Sequence, residues 1–111
     1  MSGVRVFTDL RIWQQSRQWS KDIFAHTRRD PFRSDRRLVT QINDSSSSVM
    51  ANIAEGFGRG TQGEFVTFLG YSIGSLRASL LIHDLSGASR LSMRWIMLIW
   101  IMASLVSGLR S

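Results

Sequence analysis

A chain of 111 residues is one domain by size, residues 1–111, and its 43% apolar and 20% charged residues make a globular rather than a disordered composition. Fourteen Lys and Arg face eight Asp and Glu, a formal charge of +6 that favours polyanionic partners. Cysteine is absent, which excludes disulfides and thiolate metal sites and is compatible with a reducing, cytoplasmic location.

Thirteen of the fourteen cations are Arg, and only Lys21 is Lys. Arg offers phosphate a planar, two-pronged donor set that Lys lacks. A GC-rich genome is the rival account of that bias, but it leaves the net charge untouched. The N-terminus, Met1 to Arg5, lacks the apolar core of a signal peptide. A chain this short buries roughly two-thirds of its unfolded surface, so self-association would add useful burial.

The spacing predicts a first helix over about 9–28. Thr8 is its candidate cap, and Asp9 sits at the positive end of the helix dipole. Phe7, Leu10, Trp13, Ile23 and Phe24 form its apolar stripe, with Trp19 off it. Pro31 stops the helix, since the residue before a proline is pushed out of helical geometry.

A second helix is expected over about 35–57, capped by Ser34, with Leu38, Ile42, Val49, Ile53 and Phe57 facing the core. Ser45 to Ser48 interrupts this stripe. Serine is a mediocre helix former, and a flexible serine linker is the alternative. The apolar spacing nevertheless continues in phase across the run. Gly58, Arg59 and Gly60 make the following turn, with Gly58 expected in the left-handed conformation that ends a helix.

Thr61 and Glu64 fit a capping box opening the third helix, each supplying an acceptor for the other's backbone N–H. Its stripe is Phe65, Phe68, Leu69, Ile73, Leu76 and Leu80. Gly70 and Gly74, four apart, are expected against another helix. Ser86 to Ser89 reads as a turn, and a fourth helix follows over about 90–109.

That last helix is apolar nearly all round, which predicts cover by a second subunit. Its continuous run, Trp95 to Ala103, spans about 14 Å as helix against a hydrocarbon core of ~30 Å. A membrane role is therefore the minor reading. The fold expected is an all-α, antiparallel up-and-down four-helix bundle.

Catalytic signals are sparse. His26 and His83 lie at the ends of different helices, and His83-Asp84 alone is a weak metal signal. No Gly-x-Ser-x-Gly elbow occurs, and Gly56 to Gly60 lacks the strand and Lys-Ser/Thr ending of a phosphate loop. No enzyme activity, metal or cofactor is expected. The nucleic-acid-binding candidates are Arg28, Arg29, Arg33, Arg36 and Arg37, clustered at the first turn with Asp30 and Asp35 among them. No base-reading motif accompanies them.

Asn52, Glu55 and Arg59 fall at helical spacings of three and four and could share one face; Glu55 is expected to pair with Arg59 or to cap neighbouring backbone, holding the second turn, and direct contact with a ligand is the alternative. The stretch Asn52-Ile53-Ala54-Glu55-Gly56-Phe57-Gly58-Arg59 resembles a signature of the bacterial four-helix-bundle family encoded in 23S rRNA intervening sequences. Asp9-Leu10-Arg11-Ile12-Trp13 resembles that family's opening motif. Glu64-Phe65, Phe68-Leu69 and Gly74-Ser75-Leu76 resemble its third helix.

The resemblance covers residues 7 to 77 and implies an up-down bundle that forms a ring, commonly a pentamer, without known enzymatic activity. A related branch, the accessory proteins of diversity-generating retroelements, implies binding to nucleic acid and to a reverse transcriptase. The alternative is a protein-interaction scaffold with no nucleic-acid role. Ser45 to Ser48 departs from the family pattern, as does the segment from about Ala78 to Met102, which reads as diverged or frame-altered.

Overall fold

The computed structural model describes residues 5–30, 32–85 and 92–110. Within them lie four helices, α1 (Arg11–Thr27), α2 (Arg36–Gly58), α3 (Gln62–Leu85) and α4 (Ser92–Arg110), and two short 3-10 turns, Phe7–Asp9 and Phe32–Ser34. Each helix packs on its neighbour in sequence, and α1 also meets α4, so the four enclose one core. The expected turn at Ser86 to Ser89, the fourth-helix start at Arg90 and Pro31 lie outside the described residues.

The pairings across α2 and α3 run in opposite chain directions. Ser72 Oγ donates to the Val49 carbonyl at 2.9 Å, and nearer the turn Phe57 meets Phe65 edge-on at 6.3 Å. Gln62, opening α3, donates to the carbonyl of Leu109 near the end of α4. These pairings are compatible with the antiparallel order expected.

The first helix is rotated from its expected phase. Its buried face is Ile12, Ser16, Trp19, Ile23 and Thr27. Trp19 is 1% exposed, while Phe24 is 56% exposed and Trp13 only half-buried. The hydroxyls explain why this face is not legible in the sequence. Ser16 Oγ donates to the Ile12 carbonyl and Thr27 Oγ1 to the Phe24 carbonyl, each at 2.8 Å, so both count as polar in the sequence yet bury at little cost.

The helix starts also differ. Leu10 precedes α1 without a side-chain cap, and Thr8 and Asp9 belong to the 3-10 turn. Asp35, not Ser34, caps α2, accepting from the Leu38 N–H at 3.2 Å, while Ser34 Oγ donates to Asp30 Oδ1 at 3.1 Å. The serine run is helical throughout. Ser47 and Ser48 bond back to the carbonyls of Asn43 and Asp44, and Ser46 is buried, 3.5 Å from Ser20 of α1. This excludes the linker reading.

The turn after α2 is made by Gly60, at φ +83°, rather than by Gly58, which completes the helix. Half of the capping box forms: the Glu64 N–H donates to Thr61 Oγ1 at 3.2 Å, and the return bond is absent among the described residues. Gly70 and Gly74 face outward with nothing within 4 Å of a built Cβ, so close packing inside this chain does not explain them. The close crossing lies instead at Gly56, where a Cβ would come within 2.6 Å of the Phe68 Cβ.

Candidate nucleic-acid interface

The end of α1 and the start of α2 converge on one cleft of about 470 Å³. Arg28, Arg33 and Arg36 line it, with Phe24, Thr27, Val39, Thr40 and Asn43. Its described lining therefore holds three guanidinium groups and no carboxylate. Helical spacing places these residues: Phe24 and Arg28 are four apart on α1, and Arg36, Thr40 and Asn43 are four and three apart on α2. The Arg28 guanidinium carbon lies 5.9 Å from the Phe24 ring centre.

The five arginines of the first turn thus divide. Arg29 acts electrostatically on His26, and Arg37 is exposed outside the cleft. Arg33 lies 3.8 Å from Asp30 in a well-exposed pair that neutralises little of the cleft's charge. Phe24, Thr40 and Asn43 are not among the sequence candidates. Their spacing to Arg28 and Arg36 carries the signal, but the apolar stripe of the first helix points Phe24 to the core.

The residues Asn52 to Arg59 form a brace between α2 and α3. Arg59 places Nε and Nη2 each 3.0 Å from Glu55 Oε1, and its guanidinium carbon 5.3 Å from the Phe68 ring centre. The pair is about half exposed. Asn52 does not join it, because its amide donates to the Ser48 carbonyl at 2.8 Å. Gly56 and Ile53 are buried beneath, and Gly58 is exposed. Near the N-terminus, Trp13 meets Phe7 edge-on at 5.2 Å with Arg17 at 5.9 Å, while Asp9 is exposed, as is Glu64.

Folding also unites two residues that the sequence keeps far apart. The rings of His26 and His83 lie 5.4 Å apart, with Phe32 packed against both. His83 is only 2% exposed. Burial first, then the Arg29 guanidinium, hold His26 below its ordinary pKa. Burial and the neighbouring His26 lower that of His83, against an opposing pull from Asp84, whose Oδ1 is 3.9 Å from Nδ1. Among the described residues no group of three or more His, Asp or Glu side chains is arranged to hold a metal ion.

One described helix, α3 over Gln62–Asp84, is long and apolar enough to cross a membrane by length and composition. One side of it packs in the core and buries Phe65, Leu69, Leu76, Ser72, Ser79 and His83. The apolar part of α4, Met97–Leu109, is shorter.

The model of the 23S rRNA-intervening sequence protein family matches residues 8–86. The match extends through the end of α3, past Leu76 and into the segment that departs from the family pattern. No curated protein and no solved structure matches the chain significantly.

Proposed function

The chain belongs to the 23S rRNA-intervening sequence protein family, and from that premise we propose that it is a non-enzymatic, oligomeric helical bundle that binds RNA or DNA through its Arg-rich surface. The observation that carries this reading is the cleft at the first turn, where Arg28, Arg33 and Arg36 meet without a carboxylate in the described lining. Exposed guanidiniums on rigid helix ends neutralise backbone phosphates and release their counterions. Arg29 and Arg37 extend the same charge beyond the cleft's edge. Self-association would repeat it on each subunit and raise avidity along a polymer.

The test is binding of a mixed-sequence oligonucleotide across a salt series. Affinity should fall steeply with salt. Replacing Arg28, Arg29, Arg36 and Arg37 together by Gln should weaken it and flatten the log–log slope by about 0.7–0.9 for each phosphate no longer neutralised. Unchanged affinity and slope in that variant would remove this surface from the account and favour a protein-interaction scaffold.

A further inference from the structure

We propose that the cleft between α1 and α2 seats an unstacked base, so that the chain prefers single-stranded nucleic acid to duplex. This rests on the nucleic-acid reading above and adds the form of the ligand. Phe24 is the first ground. It is 56% exposed at the cleft, where a ring of that size contributes little to the core. A phenyl ring and a guanidinium plane are the two protein surfaces on which bases stack, and Phe24 and Arg28 present both, 5.9 Å apart.

The rest of the lining suits one nucleotide. Arg33 and Arg36 are placed for the flanking phosphates. The Thr40 hydroxyl and the Asn43 side-chain amide make no hydrogen bond among the described residues, so both are available to a base edge. The volume, about 470 Å³, falls within the roughly 300–1,000 Å³ of small-ligand sites. Duplex cannot use this arrangement, because its base faces are already stacked and only edges and backbone are offered. It would still be attracted by the arginines. The preference therefore depends on Phe24, and the shared affinity on charge.

The experiment measures affinity of the full-length protein for labelled 20-nucleotide single strands, DNA and RNA, and for the matching duplexes at about one salt concentration throughout. The native chain should bind the single strands more tightly. Phe24→Ala should weaken single-strand binding by about 5- to 100-fold and leave duplex binding in place, whereas Phe24→Trp should retain the preference. Circular dichroism checks that both variants stay folded; the Trp variant keeps the test decisive if Phe24→Ala does not. Equal affinity of the native chain for both forms, or equal effects of Phe24→Ala on both, overturns the base site. In that case a drop in both affinities on changing Arg28, Arg33 and Arg36 together to Gln leaves the charge-based reading standing. If the native chain binds neither form, both readings fall.

Discussion

At Gly56, a single hydrogen atom decides how closely α2 and α3 approach. A Cβ there would lie 2.6 Å from the Phe68 Cβ and 3.4 Å from the Phe65 Cα, and the second of these neighbours is backbone. Gly56→Ala should therefore destabilise the fold by about 1–3 kcal/mol, seen as a lower urea midpoint. Gly70 and Gly74 give the contrast. Each is exposed on α3 with open space where a Cβ would stand. Alanine at either should raise stability by about 0.5–1 kcal/mol through better helix propensity. A decrease at Gly70 or Gly74 would place another subunit against that face. The Glu55–Arg59 pair matters less, because it is half exposed and such pairs contribute about 0–1 kcal/mol.

Between elements, the histidine pair ties the end of α1 and the Phe32 turn to the end of α3. Both imidazoles are held below the ordinary value of 6.5, so the unfolded chain takes up protons more readily than the folded one. Stability is then fully present above pH 6.5 and declines as pH falls from there toward the lowered folded-state pKa values. Arg29 adds to this on the side of His26, and Asp84 partly opposes it on the side of His83. Denaturant midpoints measured from about pH 8 to pH 5 should show the decline. His26→Gln should make it shallower. An unchanged slope would remove His26 from the effect. The same region supports the basic cleft, so acid loosening there should also disturb Arg28 and Arg33.

At the scale of the whole molecule, three of the exposed large apolar side chains among the described residues lie together on α4. Leu98 and Met102 face the core, while Met97, Trp100 and Ile101 are 57%, 70% and 37% exposed. Met97 and Ile101 also border an apolar groove against Gln15, Gln18 and Trp19 of α1. Such a surface on a small bundle favours association with a second copy. Sedimentation at micromolar concentration should give a mass above the monomer, and Trp100→Glu should shift it toward the monomer. A native chain that stays monomeric would remove self-association from the proposal.

The helical class and the place of the second turn, though not which glycine makes it, are legible in the sequence because they depend on local chemistry. A stripe at helical spacing marks α2 even through Ser45 to Ser48, and Thr61 caps α3 where its spacing to Glu64 predicts. The Glu55–Arg59 pair needs only residues four apart. The phase of α1 is not legible, because apolar residues occupy two sides of that helix and the buried hydroxyls of Ser16 and Thr27 read as polar. Packing against α2 and α4 chose Trp19 for the core and left Phe24 outside. Tertiary structure alone brought His26 to His83 and gathered three of five arginines into one cleft. Spacing along one helix is set by its own geometry, whereas packing between helices depends on how side chains far apart in sequence fill a shared volume.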